Sequence, residues 1–127
     1  MRRLTEFEQS LVQAVLSQHP SYAALGDSFS SLEVEQMKKT GVGAYITFSK
    51  DDQAVSGELP ATELGFDGLI HVPGVPSGLG CVIDVDGGKL NHIELFTYGD
   101  ELWDGSTEGA RIVPNNPTSS PKSAITP

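Results

Sequence analysis

The sequence predicts an α+β domain in which an N-terminal helix packs on a curved antiparallel sheet of roughly four to six strands. The first observation behind this prediction is a segment near the N-terminus whose apolar residues recur with a helical period. The second is a series of later segments in which apolar and polar residues alternate between glycine-containing turns. The chain has 127 residues, a length that suits one domain with a modest core.

The helix is predicted from residue 6 to about residue 18. Thr5 and Glu8 stand three residues apart, which is the spacing of a capping box at the start of a helix. Pro20 then ends the helix, because proline disfavours helical backbone at the residue before it. The predicted buried face consists of Phe7, Leu11, Ala14 and Val15, widened by Val12 and Leu16.

Two strands are predicted around the "GVG" turn at residues 41–43. Before the turn, Leu32 and Val34 alternate with Glu33 and Glu35; after it, "AYITFS" is rich in aromatic and β-branched residues. Residues 50–68 are predicted as a loop or an irregular edge because glycine and proline punctuate them. Residues 69–80, "LIHVPGVPSGLG", are predicted as an edge strand breaking into a loop, since proline cannot donate to a central ladder.

The strongest strand signal is a hairpin around Asp86-Gly87-Gly88, where the glycines permit the positive φ of a tight turn. On both sides of the turn, apolar residues alternate with polar or aromatic ones. Residues 113–127 are instead rich in proline and serine, a composition that cannot offset the entropy of ordering. We therefore expect a single α+β domain over residues 1–112 and a flexible Pro/Ser-rich tail over residues 113–127.

The net charge of −9 and the pI of about 4.5 restrict the partners that the chain can attract. Nucleic acid and anionic membrane surfaces are disfavoured because both require basic patches. A basic protein, by contrast, is attracted by the charge. No apolar run approaches the ~20 residues of a membrane span, and Glu6 and Glu8 interrupt any signal-peptide core, so we expect a cytoplasmic protein.

Residues 84–108, "DVDGGKLNHIELFTYGDELWDGSTE", form the acidic segment, which carries seven acids against one base. It begins like a calcium loop, but an EF-hand needs an oxygen ligand at position 5 and a glutamate at position 12. Those positions are Gly88 and Leu95, so we expect no metal site. The lone Cys81 cannot form an internal disulfide or a cysteine-based zinc site, and no cofactor is expected.

Catalysis is the alternative interpretation of the acidic segment. Asp84, Asp86 and Glu94 could face one another across the hairpin, with His71 or His92 as a base. The chain would then be a small hydrolase or ligand-binding enzyme with a carboxylate-lined pocket between helix and sheet. No nucleophile motif, phosphate loop or zinc-protease spacing supports this alternative, so we expect a non-enzyme without catalytic residues.

Protein binding is the interpretation that we prefer, because the acids are interleaved with aromatic residues that can anchor an interface. Trp103, just beyond the last strand, either closes the core or serves as an exposed anchor; we assign it to the interface. The predicted contact residues are Asp84, Asp86, Glu94, Tyr98, Asp100, Glu101, Trp103 and Asp104.

The two ends of the chain resemble a family of small bacterial proteins of unknown function. These proteins have an N-terminal Leu-Thr-x-x-Glu helix and a C-terminal hairpin with an Asp-Gly turn. The matching residues here are Leu4, Thr5, Glu8, Leu90, Ile93, Glu94, Leu95 and Tyr98. Some proteins of this kind look like immunity proteins, so the resemblance implies an inhibitor of a basic bacterial toxin.

Overall fold

One N-terminal helix and eight strands make up the chain in a computed structural model that describes residues 1–51, 53, 59–99 and 101–115, with the side chains of residues 27–30 left undescribed. The elements in order are β1 (Arg2–Arg3), α1 (Glu6–Ser17), a 3-10 helix (Pro20–Ser31), β2 (Glu33–Lys39), β3 (Gly43–Phe48), β4 (Thr62–Gly65), β5 (Gly68–Val72), β6 (Val75–Asp86), β7 (Lys89–Thr97) and β8 (Arg111–Pro114).

The strands form one open sheet in the order β1-β2-β3-β7-β6-β5-β8, and β4 pairs with β6 beside β5. Each of these pairings is antiparallel. The α+β class is confirmed, whereas the expected four to six strands were too few. The strands beyond that count are short, since β1 has two residues and β4 and β8 have four each. Segments this short show no alternating pattern, and distant partners fix them in the sheet.

Helix α1 begins and ends where its local signals predict. The Thr5 hydroxyl accepts the Glu8 N–H at 3.1 Å, and the Thr5 N–H bonds the Glu8 carboxylate at 2.9 Å, which completes the capping box. Glu8 is buried, and its two carboxylate oxygens also accept from Arg2 at 2.8 Å each. Among the described residues, no helix has the length and apolar character needed to cross a membrane.

The core lies between α1 and the face of the sheet that we call the inner face. The side chains that α1 contributes are Leu11, Val12, Val15 and Leu16. The central strands contribute Ile46, Phe48, Leu79, Cys81, Ile83, Val85, Ile93 and Leu95. From Cys81 onward on β6, and along β7, these buried residues alternate with half-buried or exposed ones, so the predicted alternation of the hairpin is confirmed.

The C-terminal end of α1 is fastened to the point where β4 passes into β5. The side-chain amide of Gln18 bonds both the N–H and the C=O of Asp67, at 2.8 and 2.9 Å. The Nε2 atom of His19 lies 2.8 Å from the carbonyl oxygen of Gly65, which can only accept, so this nitrogen is the donor. These contacts fix the helix against the sheet on one side and leave the opposite face of the sheet clear of it.

The turns explain where the strand predictions hold and where they fail. Gly87 and Gly88 both have positive φ, 63° and 74°, which is the geometry of the tight hairpin turn predicted between β6 and β7. Pro73 and Gly74 form a second tight turn, because Val72 pairs with Val75. The expected edge strand at residues 69–80 is therefore a hairpin of β5 and the start of β6, and β8 covers the edge of β5.

The ordered chain extends beyond the predicted domain boundary at residue 112. Val113 and Pro114 belong to β8, where they pair with Leu69 and Gly68. Their order comes from a neighbouring strand rather than from their own composition. The remainder of the predicted tail, residues 116–127, and most of residues 52–58 in the predicted loop lie outside the described residues.

Candidate binding surface on the outer face of the sheet

The face of the sheet opposite α1, which we call the outer face, carries polar and aromatic side chains over its central strands. On β7 they alternate with the buried residues Ile93 and Leu95, and on β6 with Ile83 and Val85. The side chains that define this surface are Tyr45, Glu63, Val82, Asp84, His92, Glu94, Phe96 and Tyr98.

Strand register brings these side chains into rows that cross the sheet. Asp84 on β6 lies directly between Glu63 on β4 and His92 on β7. In the next row, Glu94 on β7 lies between its neighbours on β6 and β3, Val82 and Tyr45. Directly opposed residues have Cβ atoms about 4.5–5.5 Å apart, so each row is a continuous strip of side chains.

Glu94 occupies the middle of the outer face. Its carboxylate oxygen Oε2 accepts a hydrogen bond from the Tyr45 hydroxyl at 3.2 Å. The negative charge of Glu94, then this hydrogen bond, raises the pKa of Tyr45, so the phenol stays protonated and donates at neutral pH. Glu94 is half-buried and Tyr45 is 39% exposed, so both remain within reach of a partner.

Phe96 and Tyr98 form an aromatic pair beside Glu94, with ring centroids 5.7 Å apart in an edge-to-face arrangement. Their rings lie over Gly80: a Cβ at that position would overlap Phe96 and come within 2.6 Å of the Tyr98 hydroxyl oxygen. Glycine at residue 80 therefore leaves room for both rings against the sheet. Tyr98 is 44% exposed, so the pair presents aromatic surface to solvent.

Asp84 is held by its neighbours on the same hairpin. The side-chain amide of Asn91 donates to Asp84 Oδ2 at 2.7 Å and lies 3.3 Å from His92 Nδ1. The ring of His92 also meets Tyr45 edge-on at 5.9 Å. Asp84 and Glu94 are thus the predicted acids that the outer face brings close together, and both are placed by strand register.

The remaining predicted acids lie elsewhere. Asp86 is exposed beside the turn and lies opposite Lys89 in the strand register. Glu101 Oε1 accepts the backbone N–H of Ser77 at 3.1 Å, and Asp104 Oδ1 accepts that of Ser106 at 2.9 Å, so both carboxylates stabilise local backbone. The predicted contact residue at position 100, Asp100, lies outside the described residues.

The interface role predicted for Trp103 is wrong, because its side chain is only 4% exposed and belongs to the core. Its indole N–H donates to the Ser106 carbonyl at 2.9 Å, and its backbone N–H donates to Gly41 at 3.0 Å. The chain after β7 therefore folds back and uses the tryptophan to close the core, which is the other outcome that the sequence allowed.

The acids of the acidic segment are consequently spread along the sheet rather than gathered in one surface. From Lys89 at the turn to Thr97 at the end of β7, eight residue steps of about 3.4 Å span about 27 Å. Asp86 lies near the turn, while Glu101, whose backbone carbonyl accepts from Thr97, lies near the other end. The outer face between them, centred on Glu94, is the better-defined candidate site.

No ion pair engages the carboxylates of the outer face within the described chain, although Lys38 on β2 lies opposite Tyr45 on the same face. Arg2 and Glu8 form the one ion pair there, and it lies at the start of α1. Glu63, Asp84 and Glu94 have no ion-pair partner among the described residues. In a chain with a net charge of −9, these carboxylates are available to cationic groups of another molecule.

The described residues give little support to the catalytic alternative. Burial, then the nearby charge of Glu94, raises the pKa of Cys81 to about 12, so this thiol is not activated as a nucleophile. His71 pairs with Arg111 at the β5–β8 edge, away from His92. No group of three histidine, cysteine or acidic side chains in the described part of the chain could hold a metal ion.

A cleft does exist between the helix and the sheet, as the enzyme alternative requires. It has a volume of about 450 Å³ and is lined by Glu6, Phe7, Ser10, Thr107, Gly109, Ala110 and Ile112. Glu6 is the one carboxylate among these residues. The paired acids needed for acid–base catalysis on a glycoside, or for holding a divalent ion, are therefore not assembled there.

Sequence reasoning missed the outer-face residues on other strands, Tyr45 and Glu63, and the aromatic contribution of Phe96. The alternation along β7 was the available signal for Phe96, since residues 92, 94 and 96 share one face. No protein-family model, curated protein or solved structure matches this chain. The candidate site therefore stands on its own geometry.

Proposed function

We propose that the chain is a non-enzymatic protein-binding domain and that the outer face of its sheet contacts a basic protein. One observation carries the proposal: Asp84 and Glu94 lie without a described ion pair among the exposed rings of Tyr45 and Tyr98. Exposed aromatic side chains supply contact area for an interface, and the carboxylates steer and orient a cationic partner.

The charge of the whole chain supports a protein partner over a nucleic acid. Phosphate backbones are bound by clustered lysine and arginine, whereas Asp84 and Glu94 lie on the central strands of the outer face and Glu63 lies beside them on β4. A basic protein would be attracted both by this face and by the net charge of −9.

Immunity against a basic bacterial toxin is the concrete form of this proposal. Its support is the resemblance of the two chain ends to immunity-like proteins, together with the acidity of the outer face. In this form, Asp84 and Glu94 would occupy the positions of phosphates in a cationic cleft of the toxin, and the rings beside them would anchor the contact. The expected cytoplasmic location belongs to the same proposal.

A capture experiment with charge-reversed variants tests the proposed surface. The immobilised chain would be exposed to lysate, and bound proteins would be identified by mass spectrometry. The test variant is Asp84→Lys with Glu94→Lys, and the matched control is Glu6→Lys with Glu108→Lys, two exposed acids off the outer face. Both variants change the net charge equally, so they separate the surface from the overall charge.

We expect a basic protein to be captured by the wild type and the control variant and lost from the test variant. Its association rate constant should fall as added salt brings the Debye length below about 8 Å. If both variants lose the captured protein equally, net charge alone explains the binding. If both retain it equally, the outer face is not part of the interface.

A further inference from the structure

The centre of the outer face has the composition of a site for a single cationic side chain. Glu94 has Tyr45 directly across the sheet on β3, and Phe96 follows two residues later on the same face of β7. Residues two apart on a strand are about 6.8 Å apart. A group approaching Glu94 from solvent would therefore contact the carboxylate and an aromatic ring together.

The carboxylate of Glu94 is oriented but not saturated. Tyr45 bonds Oε2, and no other described side chain bonds this carboxylate, which leaves Oε1 for a partner. Asp84 differs because Asn91 already occupies its Oδ2 atom. Lys38 lies across from Tyr45 on β2, but it forms no described ion pair with Glu94.

We infer that Glu94, with the rings of Tyr45 and Phe96, is the subsite that receives an arginine side chain of the partner. This inference rests on the proposed function and specifies its anchor. A guanidinium group is planar, donates to a carboxylate and stacks on aromatic rings, whereas an ammonium group is compact and strongly hydrated. The mixed surface around Glu94 therefore favours arginine over lysine.

The arrangement of the neighbours strengthens this choice. The rings of Phe96 and Tyr98 pack edge-to-face against each other over Gly80, so this aromatic surface is formed before the partner arrives and little side-chain entropy is lost on binding. The Tyr45 hydroxyl donates to one oxygen of Glu94 and so favours one orientation of the carboxylate. An incoming guanidinium would then meet an ordered acceptor beside an ordered aromatic surface.

The test uses the full chain labelled with ¹³C at the tyrosine Cζ atoms and a blocked tri-arginine peptide as the probe, with a blocked tri-lysine peptide as a second arm. NMR at low ionic strength would follow Tyr45 and Tyr98 during each titration. The test variant is Glu94→Gln, and the matched control is Glu108→Gln, which removes one exposed charge from the loop before β8. Backbone amide spectra would show that both variants remain folded.

We expect saturable shifts of Tyr45 with tri-arginine, weaker binding of tri-lysine, and a loss of affinity of about tenfold in Glu94→Gln, as removal of a charge-assisted contact implies. Glu108→Gln should bind like the wild type. The inference is overturned if Glu94→Gln binds unchanged, if Glu108→Gln loses as much affinity as Glu94→Gln, or if tri-lysine binds as tightly as tri-arginine.

The inference and the proposed function fail separately. The captured protein could fail to bind the Asp84→Lys, Glu94→Lys variant and yet bind Glu94→Gln as tightly as the wild type. That result would exclude the arginine subsite while still supporting the outer-face interface. Capture that is indifferent to the charge reversal would instead end the proposed function.

Discussion

The hairpin half of the acidic segment, residues 84–98, and its loop half, residues 99–108, both combine acids with a large aromatic residue. In the hairpin half, strand pairing directs Glu94 and Asp84 outward and leaves Tyr98 exposed. In the loop half, Trp103 is buried and Glu101 bonds the backbone of another strand. Similar composition thus serves a surface in one half and the core in the other, because only the hairpin half is constrained by strand alternation.

Replacing the aromatic residue of each half should separate them most strongly. Trp103→Ala should lower the free energy of unfolding by about 3–5 kcal/mol, because a large buried side chain is removed from the core. Tyr98→Ala should cost less than about 1 kcal/mol, since that ring is partly in solvent. Urea denaturation measures both, and comparable losses would contradict the division into core and surface.

Removing one carboxylate from each half should give a smaller difference in the free energy of unfolding. Glu101→Ala should destabilise the chain by about 0.5–1.5 kcal/mol, because the Ser77 N–H loses its acceptor. Glu94→Ala should stay within about 0.5 kcal/mol of the wild type, as an outer-face change without an ion pair. A larger loss in Glu94→Ala would mean that this acid is structural, and would weaken its assignment to binding.

The pKa of Tyr45 is sensitive to the charge of the neighbouring Glu94. The charge of Glu94 is the largest cause of the raised pKa of Tyr45, because a second negative charge beside it is unfavourable. Glu94→Gln should therefore lower that pKa toward its ordinary value of about 10, and Glu108→Gln should leave it unchanged. Tyrosine ¹³Cζ NMR against pH measures both, and an unchanged pKa in Glu94→Gln would place the two side chains apart in solution.

The same interaction has a consequence for stability at alkaline pH. With its pKa raised in the folded state, Tyr45 ionises more readily in the unfolded chain, so its contribution to folding falls as pH rises through the ordinary tyrosine range. Glu94→Gln should make this decline shallower, which urea denaturation at successive pH values would reveal.

We expect the turn of the hairpin half to bind no metal ion. Gly87 and Gly88 adopt the positive φ that the turn requires, and Asp86 lies opposite Lys89 in the strand register. Calorimetric titration with calcium, magnesium or zinc should therefore give no saturable heat. Micromolar binding that disappears in Asp84→Asn with Asp86→Asn would reinstate the metal and catalytic alternative.

The predictable part of the candidate site is the part that lies on one hairpin. Alternation along β6 and β7 places Asp84, Glu94 and Tyr98 away from the buried residues without knowledge of the other strands. Tyr45 and Glu63 could not be assigned in this way, because their positions depend on which strands pair and in which register. The sequence also did not indicate which acids after Tyr98 are exposed to solvent and which accept hydrogen bonds from the backbone.

What the sequence determined by itself was local. The capping box of Thr5 and Glu8 sets the start of α1, and Gly87-Gly88 sets the turn of the hairpin, since both depend on residues a few positions apart. Only the tertiary structure decided that β1, β4 and β8 are strands, because their hydrogen-bond partners are distant in sequence. It also decided that Trp103 is buried, since the burial of a loop side chain depends on where the chain returns.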